Sequence, residues 1–217
     1  MKNLLKGMAV LALCLTFSCA SQKPLGLAGS NWTLINNNLH QIEGPAAGSN
    51  SAMAFRVYRS GAPSKSTFAK WCGEFKIARV IDMAGTAKNH ELAFQAQGIC
   101  PDIKVIYSEQ QDPYVPVSRE FLEFFDQEIQ KAKSDNVGIL FRCTSGSHRA
   151  GRLAAYYQMK YQGLSPEQAI NEMNKNGVMM PVYEETLVHQ VYALNDYIQN
   201  RPCSQAKAYC VKMETEK

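Results

Sequence analysis

Residues 137–157, VGILFRCTSGSHRAGRLAAYY, run from an apolar stretch through polar and glycine positions into helical spacing. From Cys143 to Arg149 there is no apolar side chain other than the cysteine itself, so packing does not account for these residues. A strand, a tight loop and a helix N-terminus in that order make an anion cradle. Backbone N–H groups from Thr144 to Arg149 can curl around one phosphate, and the helix dipole favours its charge. Gly146 permits the turn. Arg149 presents a planar fork to two phosphate oxygens, a grip lysine does not reproduce. The same ring favours a thiolate at Cys143, placed to attack phosphorus. Thr144, Ser145, Gly146, Ser147 and His148 are the candidate binding loop. The plainer alternative is a polar loop carrying a buried cysteine.

A thiolate nucleophile needs an acid to protonate the leaving oxygen. The stretch SEQQDPYVPVS, residues 108–118, supplies Asp112 on a proline-rich loop suited to closing over a bound phosphate. Glu109 competes for the role, and an Asp before Pro113 also fits a simple turn. Further candidates to meet substrate phosphates are Arg59, Lys65, Lys88 and Arg152. Each has an ordinary alternative as a salt-bridged or solvated cation.

Apolar β-rich runs recur at MAFRVYRS (53–60), IARVIDMA (77–84), DIKVIYSE (102–109) and VGILFRC (137–143), separated by segments of helical spacing. Phe68, Trp71, Cys72 and Phe75 mark one amphipathic helix. Phe121, Phe124, Phe125, Ile129 and Ala132 mark a longer one, capped by PVSREF. Beyond Gly163 the pattern is helical, with one helix from Ser165 to a stop at Gly177 and another over EETLVHQVYALNDYIQN. The reading is a single α/β domain with a helical C-terminal part.

Residues 1–20, MKNLLKGMAVLALCLTFSCA, have a basic start, a short apolar run and small residues near the end, the pattern of an export signal. The run is shorter than the ~20 residues a spanning helix needs. Cleavage before Ser21 gives a soluble secreted or periplasmic protein; cleavage before Cys19 with lipidation there gives a membrane-anchored one. Residues 21–49 read as a flexible leader and 50–217 as the folded domain. With Lys2 and Lys6 removed, the net charge of +4 falls to +2, too mild to indicate a nucleic-acid partner.

Of the seven cysteines, Cys72, Cys100, Cys203 and Cys210 are the pool for two disulfides in an oxidising compartment, which would leave Cys143 free. Cys203 with Cys210 is the preferred bridge; four buried thiols are the alternative. His40, His90 and His189 are scattered and no Cys-x-x-Cys occurs, so neither a metal nor a cofactor is implied.

The loop CTSGSHRAG (143–151) resembles the signature of the cysteine-dependent protein tyrosine phosphatase superfamily, Cys, five residues, Arg. VYRSGAPS (57–64) looks like the opening strand of compact atypical dual-specificity phosphatases, and GLSPEQAINEMNKNG (163–177) is similar to their helices after the loop. The resemblance covers roughly residues 50 to 200 and implies a central, mostly parallel sheet flanked by helices. The segment before the loop is similar to two groups acting on inositol phosphates. Compact inositol-pyrophosphate phosphatases share PYVPVS and SHRAG. In tyrosine-phosphatase-like phytases the acid Asp is followed four positions on by Pro, as Asp112 is by Pro116, and Asp82 matches a strand-end Asp.

Three departures stand out. Ala84 replaces an expected arginine, Arg142 a usual His before the nucleophile, and Ala150 a usual Ser or Thr after the loop Arg. The last implies slow breakdown of the phosphocysteine unless Thr144, Ser145 or Ser147 substitutes. The resemblance, with the export signal, implies an exported phosphatase acting on myo-inositol hexakisphosphate (phytate) or related inositol polyphosphates. The alternatives are a dual-specificity protein tyrosine phosphatase and a catalytically silent phosphate-binding module.

Overall fold

In the computed structural model, which describes residues 37–44, 54–175 and 181–213, the run GILFR forms strand β5 (Gly138–Arg142), buried at every position. Such unbroken burial is what a central parallel strand requires, since both its faces carry layers. The sheet order is β1-β2-β5-β3-β4, with β2 (Arg56–Ser60), β3 (Ile77–Asp82) and β4 (Lys104–Ser108). All neighbours are parallel except β1 (His40–Glu43), which pairs antiparallel with β2 along the edge.

Successive residues of a strand point to opposite faces, and the two cores follow this alternation. Leu140, Tyr58 and Val80 face Phe68 and Trp71 of α1 (Lys65–Gly73). Ile139, Phe141, Val57 and Ile81 face the larger core. That core is covered by α3 (Arg119–Ser134), α4 (His148–Gln162), α5 (Pro166–Lys175) and α6 (Pro181–Ile198). The side chains Phe121, Phe125 and Ile129 come from α3, started by Ser118, whose hydroxyl accepts the Phe121 N–H. Each large apolar side chain so buried contributes about 1.5–3 kcal/mol. A short α2 (Glu91–Gln95) lies between β3 and β4.

The smaller core is closed by the disulfide Cys72–Cys100, and Cys203–Cys210 closes a loop after α6; Cys143 is a free, buried thiol. The former bridges a sequence separation of 28, a restriction on the unfolded chain worth about 3–4 kcal/mol in the chain-entropy account.

The folded domain takes in residues 37–44, which the sequence assigns to a leader ending at 49. The cause is apolar: Leu39 is buried in the smaller core, and Ile42 packs on the larger one while β1 pairs with the β2 edge. Residues 1–36, with the export signal and Cys19, lie outside the described residues, as does Gly177. Among those described no helix is long and apolar enough to cross a membrane.

Candidate active site

Chain leaving the end of β5 turns at Cys143 and enters α4 at His148, the strand, loop and helix that the spacing predicts. Cys143 is 1% exposed, at the floor of the loop. Its N–H donates to Ser60 O at 3.3 Å, and Thr144 O accepts the Ala62 N–H at 2.9 Å. Gly146 has φ +76, and a Cβ there would stand 2.5 Å from Gly61 N, so glycine is required by both conformation and space. Ser147 gives α4 no side-chain cap. Among the described residues no protein acceptor takes the backbone N–H groups of Thr144, Ser145, Gly146 or Ser147. Unpaired donors converging at a helix N-terminus are what an anion satisfies.

Arg149 returns over this loop. Its Nη1 donates to Met83 O at 2.9 Å and Gln111 O at 3.0 Å, and Nη2 to Thr144 Oγ1 at 3.2 Å. One guanidinium thus joins the nucleophile loop, the end of β3 and the loop of Asp112. Asp112 itself is exposed, with Oδ1 accepting the Tyr114 N–H at 2.8 Å. The turn that its sequence also fits is therefore present, one residue from the arginine's contact.

Thr144 and Ser145 are exposed in the loop. Lys65 is the exposed first residue of α1, three positions after Ala62, and Lys88 is exposed in a 3-10 turn after the β3 loop.

The other three candidates are buried and engaged with the protein itself. Arg152 is buried at 1% exposure, with Nη1 donating to Val115 O at 2.8 Å and to Gln190 Oε1, and Nη2 to Gln111 Oε1 at 3.4 Å. It clamps the Asp112 loop from beneath. His148 turns its ring onto Tyr183 of α6, 4.8 Å between centroids, and Tyr183 in turn meets Tyr114 of the acid loop at 4.7 Å. Burial, then the Arg149 charge, pushes the His148 pKa down, so the ring stays neutral at neutral pH. Arg59 is 2% exposed beneath α4, whose Gly151 leaves room for it, and borders a small cavity of about 140 Å³ with His40 and Glu172. Burial lowers it to about 10, against the charges of Cys143 and Glu172. It remains a cation, within electrostatic range of the thiol.

The unusual residue before the cysteine, Arg142, has its partners inside the fold. Arg142 is fully buried, and its Nε and Nη2 donate to the two Glu91 carboxylate oxygens at 2.6 Å each. Nη1 reaches Thr86 Oγ1 and Asp82 Oδ1, both at 2.9 Å. Asp82 also accepts from Ala84 N, Thr86 N and Ser108 Oγ at 2.7–2.9 Å. Buried charges persist when paired and hydrogen-bonded in this way. The cluster fixes the 83–86 loop, hence the Met83 carbonyl that holds Arg149.

Asn38, Glu91 and Gln190 are site-supporting residues that the sequence reading misses. Asn38 Nδ2 donates to Ser145 O at 3.1 Å. Its signal was the run Asn36-Asn37-Asn38: Asn37 and Asn38 adopt φ 52 and 57, a left-handed backbone that asparagine tolerates. Among the described residues no three His, Cys, Asp or Glu side chains converge as metal ligands would.

No model of a known protein family matches the sequence, and no curated protein matches it significantly. Solved structures do resemble it. TpbA of P. aeruginosa is 22% identical, covering 66% of this chain and 86% of its own, with a TM-score of 0.52. PTPMT1 in complex with PI(5)P is 16% identical over 75% of this chain and 97% of its own, TM-score 0.53. The core catalytic domain of the PP-IP phosphatase SIW14 from S. cerevisiae is 17% identical over 69% and 83%, TM-score 0.51. With Cys143 and Arg149 spaced around an anion-receptive loop at the end of its central strand, the chain has the fold of the compact cysteine-dependent phosphatases of the protein tyrosine phosphatase superfamily.

Proposed function

We propose that this protein is an exported phosphomonoesterase that hydrolyses myo-inositol hexakisphosphate or related inositol polyphosphates through a phosphocysteine. The observation that carries the chemistry is the loop: unpartnered N–H groups of residues 144–147 around the Cys143 thiol, with Arg149 overhead. In the first step the Cys143 thiolate attacks phosphorus, the S–P bond forms and the P–O ester bond breaks. The departing alkoxide takes a proton from the Asp112 carboxyl. Water, deprotonated by the same carboxylate, then attacks phosphorus, and the S–P bond breaks to give phosphate and the free thiolate. The N–H ring and Arg149 hold the equatorial oxygens as charge shifts during both steps, so no metal is called for in this route.

Support for an inositol polyphosphate comes from three sources. Lys65 and Lys88 are exposed cations on segments that follow β2 and β3, the two strands flanking β5, and are candidates to meet phosphates other than the reacting one. Asp112 and Pro116 have the spacing of the phytase-like acid loop. Among the structural neighbours are a PP-IP phosphatase and a PI(5)P complex. Export accords with a substrate met outside the cytoplasm. The tyrosine phosphatase reading rests on TpbA, which has been seen with pTyr.

The test is phosphate release from inositol hexakisphosphate, a phosphotyrosyl peptide and p-nitrophenyl phosphate, with chelator present, for wild type and Cys143→Ser. Release from the inositol substrate, lost in the variant, is expected. Far faster release from the peptide at equal enzyme would replace this reading with the tyrosine phosphatase one. Silence on all three, with polyphosphate still bound, would make the protein a binding module.

A further inference from the structure

A cleft of the described chain lies away from the Cys143 loop, between the end of α6, the start of α3 and the C-terminal strap after Asn200. Its volume is about 800 Å³, within the range of small-molecule sites. Tyr197, Ile198, Val211 and Met213 give it an apolar surface, and Met213 is 44% exposed. Around that surface stand Arg119, Lys160, Arg201, Lys207 and Lys212, with no carboxylate among the described residues of the lining.

Carboxylates do neutralise part of this charge from outside. Glu123 pairs with Arg119, Asp126 with Lys160 and Asp196 with Arg201. The Lys212 amine forms no side-chain bond to the described residues, so its charge faces the cleft uncompensated.

The walls are fixed without a ligand. Cys203–Cys210 lines the cleft, Asp196 accepts from Ser204 N and Oγ, and Tyr209 stacks on His189 with centroids 4.7 Å apart. The strap is sewn to the start of α3 by Lys212 N to Val117 O at 3.1 Å and Arg119 N to Lys212 O at 2.9 Å. A pre-formed apolar hollow rimmed by cations, with no acidic group among its described lining residues, suits a molecule with an apolar body and one anionic head.

We propose that this cleft is a second ligand site, distinct from the Cys143 loop, for an anionic amphiphile such as a medium-chain carboxylate. The site does not depend on the phosphatase reading.

The full chain is titrated with decanoate and with decanol, by displacement of anilinonaphthalene sulfonate fluorescence. Saturable binding of decanoate is expected, at least about fivefold tighter than decanol. Lys207→Glu with Lys212→Glu should weaken decanoate about tenfold and leave decanol unchanged. Ala208→Trp, at an exposed position of the lining, should abolish binding of both. Cys143→Ser in excess inorganic phosphate should bind decanoate as wild type does. Equal binding of acid and alcohol, indifference to Ala208→Trp, loss in excess phosphate, or no saturation would each overturn the proposal. Thermal melting of each variant separates a lost site from a lost fold.

Discussion

The two loops that meet at Arg149 are held by different means. The nucleophile loop is fixed chiefly by backbone: Cys143 N to Ser60 O, Ala62 N to Thr144 O, and a glycine with no room for a Cβ, with the Asn38 side chain added on Ser145 O. The acid loop is held chiefly by side chains that reach up from the helices. Arg152 holds Val115 O, Gln190 Nε2 holds Pro113 O at 3.1 Å, and Tyr183 faces Tyr114, while Tyr114 and Val115 are 47% and 38% exposed. Backbone bonds tie the first loop to the end of β2, whereas side chains from α4 and α6 carry the second. The loop that presents Cys143 is therefore fixed mainly through its own backbone, and the loop of Asp112 through side chains of α4 and α6.

Breaking the backbone-held loop should have the largest effect. Gly146→Ala places a Cβ against Gly61 N in a left-handed backbone. Activity on every substrate should fall by at least about a hundredfold and stability by roughly 2–4 kcal/mol, measured by steady-state assay and urea melting. Gly163→Ala is the control. It has φ +71 but nothing within 4 Å, and should cost only about 1 kcal/mol with activity intact.

On the acid loop, Asp112→Asn should slow hydrolysis of inositol hexakisphosphate about a hundredfold. It should slow p-nitrophenyl phosphate less than tenfold, because nitrophenolate leaves without a proton. Equal losses on both substrates, or the larger selective loss in Glu109→Gln, would move the acid role away from Asp112.

The same contrast explains what was legible in the sequence. The apolar β-rich runs between helical segments, the cap at Ser118 in PVSREF and the Cys-to-Arg spacing are local patterns, each decided within a few residues, and the structure carries them all. Arg152, His148 and Arg59 share the charge or polarity of phosphate ligands, yet their partners lie on Val115, Gln190, Tyr183 and Glu172, brought close by folding alone. Sequence type says that a guanidinium needs acceptors; the fold decides whether these are substrate oxygens or carbonyls. Asn38 went unseen because residues 21–49, polar and with little periodicity, read as leader until β2 offers β1 an edge.

Arg152→Met removes the clamp while keeping bulk under the loop. Its effect should resemble a weaker Asp112→Asn: about tenfold on inositol hexakisphosphate, little on p-nitrophenyl phosphate, and a normal KM for both. A uniform loss on both substrates would instead mean that Arg152 acts through the nucleophile loop. Ala150→Ser tests the second chemical step. Ala150 is fully buried in the first turn of α4, and a hydroxyl there should speed breakdown of the phosphocysteine a few-fold. A larger burst amplitude in wild type than in the variant is the signature, and unchanged turnover would show that Thr144, Ser145 or Ser147 already serves.

The smallest effect lies in the scaffold of the nucleophile loop. His40 Nε2 is 2.6 Å from Asn38 Oδ1, and Asn38 holds the Ser145 carbonyl, so an imidazole stands two bonds from the anion cradle. Burial first, and the Arg59 charge second, lower its pKa to about 4. In the unfolded chain the ring takes a proton near pH 6.5. Between pH 6.5 and 4 the unfolded state therefore binds more protons than the native one, and stability falls as pH falls through that window. Above pH 6.5 the neutral ring carries no such penalty. With the ring partly exposed, the loss across the window is about 1–2 kcal/mol. His40→Gln keeps an N–H for Asn38 without a titrating group. Urea midpoints at pH 7 and pH 4.5 should therefore converge in the variant relative to wild type. Parallel shifts in the two proteins would mean that acid weakens the fold elsewhere, and that the support of the nucleophile loop is as insensitive to protons as its backbone bonds are.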